Sequence, residues 1–219
     1  LLAWKWPNVE AFFNFFCDSV FFTLARGQKF EAKQTMALMH TPICDFGAAA
    51  PGFHLRDCDG KEFSLADCRG KRGTLIMFIC NHCPYVKAIL KPLLADVRAL
   101  QAEKIGVVAI MPNNYLSYSE DAPERMREFA RAHGFTFPYL VDESQQVANA
   151  YGAVCTPDFF GYDKDLHLQY RGRLDATTPA NPTTANMKRE LRDAMLAIAN
   201  GAGGPRDQTP SMGCSIKWR

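Results

Sequence analysis

A short apolar run stops at Cys80-Asn81-His82-Cys83 and gives way at once to helical spacing, and this junction constrains the chain more than any other feature. Gly73 to Ile79 is largely apolar and rich in β-branched and aromatic residues, which predicts a buried strand. Beyond Cys83, residues Val86, Ile89, Leu90, Leu93, Leu94, Val97 and Leu100 recur at helical intervals, with Lys87, Lys91, Asp96 and Arg98 mostly on the other face. Pro84, in the first turn, lacks an N–H that no helix start uses. Two cysteines separated by two residues therefore stand where a strand becomes a helix.

That placement points to redox chemistry. Two thiols at this spacing reach bonding distance without straining the chain. The first sits over unsatisfied backbone N–H groups and the positive end of the helix dipole, which lowers a thiol pKa from its free value of about 8.5. Only the thiolate attacks a disulfide, so Cys80 is expected to be the nucleophile and Cys83 the resolving thiol. His82, between them, would favour thiolate at Cys80 if it were charged or donated a hydrogen bond; otherwise it is a solvated loop residue.

A chain of 219 residues can bury a full core in one domain. Its formal charge of +2, with no basic stripe interleaved with aromatics, argues against nucleic acid and anionic membranes as partners. Eight cysteines in this length are too few for a disulfide-stapled scaffold. Cys58 and Cys68 flank a turn and are either bridged or free thiols; a reducing, cytoplasmic setting favours the latter. No glycine loop of the phosphate-cradling kind is present, so no organic cofactor is expected.

Further along, Asp59-Gly60 signals a hairpin between Phe53-His54-Leu55 and Glu62 to Leu65, and Ser64 to Asp67 starts a helical turn. Residues 105–110 and 138–141 read as strands, and helices are expected from Pro123 and over 144–151 and 186–199. Residues 158–162 and 166–170 form a second hairpin. His54 falls within a strand and His133 at a helix end before Gly134, neither with ligand spacing to a cysteine. The alternation predicts an α/β fold: a mixed central β-sheet flanked by helices, with an N-terminal hairpin and a C-terminal tail. The expected organisation is an accessory or extraneous segment over 1–40, a domain over 41–200 and a tail over 201–219.

The first segment is crowded with Trp4, Trp6, Phe12, Phe13, Phe15, Phe16, Phe21 and Phe22. Asn14 and Asp18 interrupt its apolar run, it is too short to cross a bilayer, and no clean cleavage site follows, so signal peptide and membrane span are poor readings. A surface anchor, an accessory helix and an artefact of start-site choice remain. The last ranks first, with Met36 or Met39 as a natural beginning, and native peptides from before Met36 would refute it.

Three stretches, Phe78 to Val86, Tyr151 to Phe160 and Pro210 to Trp218, together resemble the thioredoxin superfamily, specifically peroxiredoxin-like, AhpC/TSA-related redoxins carrying a Cys-x-x-Cys. The resemblance runs from about Pro42 to the C-terminus and implies a thioredoxin-like fold. It also implies that Thr156-Pro157 is a cis-proline loop facing the cysteines and presenting substrate backbone. Peroxiredoxins place Pro-x-x-x-Thr/Ser before the x-x-Cys of their peroxidatic thiolate; aligned on Cys83, those helper positions hold Ile76 and Cys80. Replacement of the hydroxyl by a second thiol favours thiol–disulfide exchange over peroxide reduction at Cys83.

The expected partners are protein or small-molecule disulfides and a thiol electron donor such as a thioredoxin or glutathione system. Cys155 and Cys214 are accessory redox candidates, each with the alternative of a plain packed or free thiol, and Cys155 is the nearest guess for a partner of Cys214. A contrasting reading is copper or zinc binding by Cys80, Cys83 and either His82 or Cys155.

Overall fold

The switch from an apolar run to helical spacing is realised around a central strand, β4 (Thr74–Phe78), in a computed structural model that describes residues 37–219. Every residue of β4 is buried because both of its faces are covered. Leu75 and Met77 enter one core cluster, whereas Ile76 and Phe78 enter the other. α2 (Pro84–Ala102) packs its Val86, Ile89, Leu90, Leu93, Leu94, Val97 and Leu100 into the first cluster.

The main sheet has seven strands in the order β3-β2-β6-β5-β4-β8-β9. They are β2 (His54–Asp57), β3 (Glu62–Ser64), β5 (Gly106–Met111), β6 (Tyr139–Val141), β8 (Asp158–Tyr162) and β9 (Leu168–Tyr170). β4 runs parallel to β5 and antiparallel to β8, so the sheet is mixed as expected. β2 and β3 form the hairpin about Asp59-Gly60, with Leu55 opposite Phe63. α1 (Leu65–Cys68) follows with a Ser64–Asp67 capping box.

α3 (Pro123–His133) ends at Gly134 in the left-handed region, φ 64°. α5 (Glu190–Ala199) adds Leu191, Ala194, Met195 and Ile198 to the first cluster, and α4 (Gln146–Tyr151) packs Ala148 and Tyr151 into the second. α5 begins four residues later than the spacing suggests. Cys58 and Cys68 belong to different clusters and are separate thiols.

Two expected boundaries need correction. A second, three-stranded sheet, in the order β1-β10-β7, joins β1 (Leu38–His40), β7 (Cys155–Thr156) and β10 (Met212–Ser215). Residues 38–40 and the so-called tail are thus integral to the domain, because each fills a backbone edge the other would leave open. The aromatic-rich stretch before residue 37, and the reading of it as extraneous, lie outside the described residues.

Gly213 is what allows β10 to come so close. A Cβ there would meet the Thr156 carbonyl oxygen at 2.1 Å and the Pro157 nitrogen at 3.0 Å. Gly213→Ala is expected to cost about 1–3 kcal/mol, the usual range for overpacking, read as a lowered midpoint in chemical denaturation.

Candidate active site

Strand register assembles the site. β4 and β8 pair as far as Phe78 opposite Asp158, and two residues beyond that pair, on either side, stand Cys80 and Thr156. The Thr156-Pro157 peptide bond is cis. Cys80 Sγ lies 3.2 Å from Thr156 Oγ1, and Cys83 Sγ lies 3.1 Å from the Thr156 carbonyl oxygen. The two thiols are near enough to shift each other's pKa in opposite directions. Cys80, Cys83, Thr156 and Pro157, singled out 76 residues apart in sequence, therefore meet in one place, and both cysteines are buried, at 1% and 0% exposure.

The electrostatics differ from expectation. Cys83, not Cys80, is the N-cap of α2. Cys83 is pulled well below an ordinary thiol by the neighbouring Cys214 and Cys80 thiols, against burial, with further help from the Val86 and Cys214 N–H groups. The Thr156 carbonyl is the neighbour that would rather meet a proton there. Cys80 moves the other way, raised by burial, by the neighbouring Cys83 thiol and by the charge of Asp121, with the Thr156 hydroxyl opposing.

His82 is held by a group the sequence did not single out. Asp121, fully buried, is the last residue of a short 3-10 turn, Ser119–Asp121. Its carboxyl oxygens accept from the Asn81 N–H, from His82 Nδ1 and from the Asn113 side-chain amide, each at 2.8 Å. The His82 ring stacks on Tyr118, with centroids 5.6 Å apart. Burial lowers the His82 pKa, but the hydrogen bond and charge of Asp121, with Glu120 and Cys83, outweigh it and the net shift is upward. A raised histidine pKa gives stability that is present below the unfolded value of about 6.5 and is lost as pH rises through the folded value. Asp121→Asn should therefore move the His82 titration, followed by NMR, to lower pH and destabilise the fold more at about pH 6 than at about pH 9.

Residues 46–171 match the AhpC/TSA family. The chain belongs to that family. A crystal structure of a conserved protein from Geobacillus kaustophilus is similar over 84% of this chain and 97% of that one, with 42% identity and a TM-score of 0.79. The thiol-disulfide oxidoreductase ResA of Geobacillus thermodenitrificans is 32% identical over 146 residues, 66% of this chain and 75% of that protein. A thiol:disulfide interchange protein from Bacteroides sp., 16% identical with a TM-score of 0.54 over 73% of this chain and 93% of that one, supports a thioredoxin-like fold.

Two other cysteines of this AhpC/TSA protein were candidates, and the structure separates them. Cys155 is buried, with Sγ 3.6 Å from the Pro157 carbonyl, and burial pushes its thiol pKa up. Cys214 is not the partner of Cys155: its Sγ lies 3.2 Å from that of Cys83. The ligand sets expected for copper or zinc are not what converges. Among the described residues, the ligand atoms that gather within 4.8 Å are those of Cys80, His82 and Asp121, and the Asp121 oxygens already receive three N–H donors. A cavity of about 880 Å³ lies between α2 and residues 178–193 and touches none of these thiols; one of about 300 Å³ borders Tyr85, Pro157 and Met212. His54 faces Glu62 and His133 packs on Phe129.

Asp121 carried no signal in the sequence. It is an ordinary acidic residue just before a Pro-started helix, and only its burial against His82 distinguishes it.

Proposed function

We propose that this protein is a thiol–disulfide oxidoreductase working through Cys80 and Cys83. The observation that carries the reading is the convergence of these two sulfurs, from the strand-to-helix junction, on the same residue, Thr156, beside the cis Pro157. The similarity to ResA, named for this activity, supports it.

Cys80 gives up its proton to solvent as it attacks, beside the His82–Asp121 pair, one ligand atom of each lying within 4.8 Å of its sulfur. Its thiolate attacks one sulfur of a substrate disulfide, so that a mixed disulfide forms and the other substrate sulfur leaves as a thiol. Cys83, already biased to the thiolate, attacks Cys80 Sγ; the Cys80–Cys83 disulfide forms and the second substrate thiol departs. Two electrons pass to the substrate, and an external thiol donor restores the dithiol. Protein or small-molecule disulfides are the substrates in this reading, and the cytoplasm is the compartment that suits the cysteine usage.

The low pKa of Cys83 favours a second reading, thiol peroxidase activity at Cys83. Against it, the hydroxyl that reaches the pair, that of Thr156, touches Cys80. Turnover of a model protein disulfide and of hydrogen peroxide, measured side by side with dithiothreitol as donor, decides. Faster disulfide turnover is expected, and peroxide turnover alone would replace the first reading with the second.

A further inference from the structure

The backbone edge beside the active sulfurs is already occupied by the chain itself. β10 runs antiparallel to β7 with Cys214 opposite Thr156, the residue whose hydroxyl and carbonyl face Cys80 and Cys83. On this edge Cys214 sets its own sulfur against that of Cys83.

The fit is built rather than incidental. Gly213 lets the strand approach to a distance that a side chain would forbid. The segment is fixed further along by the Ile216 N–H on the Val154 carbonyl at 3.1 Å and the Lys217 N–H on Asn113 Oδ1 at 2.9 Å. Asn113 in turn donates to Asp121, the orienting group of His82, so the strand carrying Cys214 is hydrogen-bonded into the active-site network. Cys214 is 4% exposed. Its sulfur is 3.2 Å from that of Cys83, and a bond of about 2.05 Å needs a closure of roughly 1 Å, within reach of side-chain rotation.

We propose that Cys83 is shared by two alternative disulfides, Cys80–Cys83 and Cys83–Cys214, and that Cys214 acts as an internal substrate for the pair. The inference rests on the proposed oxidoreductase reading and extends it. Starting from the Cys80–Cys83 disulfide, Cys214 gives up its proton and its thiolate attacks Cys83 Sγ. The Cys83–Cys214 bond forms, the Cys80–Cys83 bond breaks, and the electron pair leaves on Cys80 Sγ, which takes up a proton. One disulfide replaces another with no net redox change, so no further oxidant is required. The oxidising equivalent is moved to the inner pair and Cys80 is returned as a thiol.

The test is oxidation of the full chain with one equivalent of diamide, alkylation of the remaining thiols, and non-reducing peptide mapping of wild type and Cys80→Ser. A Cys83–Cys214 cross-linked peptide in Cys80→Ser, and protection of part of the Cys214 population in wild type, are expected. A Cys80–Cys83 cross-link in wild type with Cys214 fully alkylated in both proteins would overturn the proposal while leaving the oxidoreductase reading intact. Absence of every disulfide from wild type and variant alike would overturn both. Circular dichroism of Cys80→Ser establishes that the mapped variant is folded, and the wild-type alkylation result decides the matter even if it is not.

Discussion

Replacing Cys83 with serine is expected to leave a protein that attacks a substrate disulfide but cannot release it. In the wild type, Cys80 is held in its thiol form by burial, by the neighbouring Cys83 thiol and by Asp121. Removing the Cys83 sulfur takes away one of those restraints and, at the same time, the thiolate that would resolve the mixed disulfide. Attack should proceed and turnover should fall by about 10³-fold or more, as when one member of a catalytic unit is lost. The product is a covalent adduct on Cys80, visible by mass spectrometry and cleaved by added reductant. Cys80→Ser should abolish turnover to the same extent without accumulating an adduct, because it removes the sulfur that attacks the substrate. Full reductase activity in Cys80→Ser would reverse the assigned roles.

The largest effect on stability is expected from Arg171→Met. Arg171 Nη2 lies 3.2 Å from Asp158 Oδ2 and 2.6 Å from the Gly152 carbonyl, and its guanidinium sits over the Phe160 ring at 4.5 Å. Asp158 is fully buried, one residue beyond Pro157, and its other oxygen has no partner among the described residues. Breaking a buried pair by removing one partner costs about 3–5 kcal/mol. The pH dependence follows from Asp158, whose carboxyl is raised to about 6 by burial, with Arg171 opposing. A carboxyl raised on folding favours the native state when protonated, and that contribution is lost as pH rises from the unfolded value of about 3.9 through the folded one. Losing Arg171 raises the carboxyl further, so the deficit of the variant should be small near pH 5 and grow above about 6. Urea denaturation at both pH values measures it. Adding Asp158→Asn should recover part of the loss, since it removes the stranded charge.

The parts of this site that were legible in the sequence are those whose signal is local. The change of period at Cys80 to Cys83 marks a strand giving way to a helix whatever the rest of the chain does, and the structure runs from β4 through Cys83 into α2 with that phase intact. Thr156-Pro157 was recognisable through family resemblance, and register explains why it faces the cysteines. What stayed hidden is non-local. Asp121 matters because it is buried against a histidine 39 residues away, and nothing in its neighbourhood encodes that burial. Cys214 lies 131 residues from Cys83, in a four-residue strand with a glycine at its second position, too short to display period-2 alternation. The N-cap argument was right in kind but placed the favoured anion one turn early, because sequence spacing does not say which cysteine the helix begins on.

The central claim is that Cys83 and one neighbouring sulfur form a reversible dithiol–disulfide couple. Equilibrating the full chain across a series of oxidised-to-reduced dithiothreitol ratios, then counting and locating the alkylated thiols by mass spectrometry, addresses it most directly. A single two-electron transition that consumes Cys83 together with Cys80 or Cys214, and reverses fully on reduction, is the predicted result. Retention of the Cys83 thiol across the whole range would contradict the account.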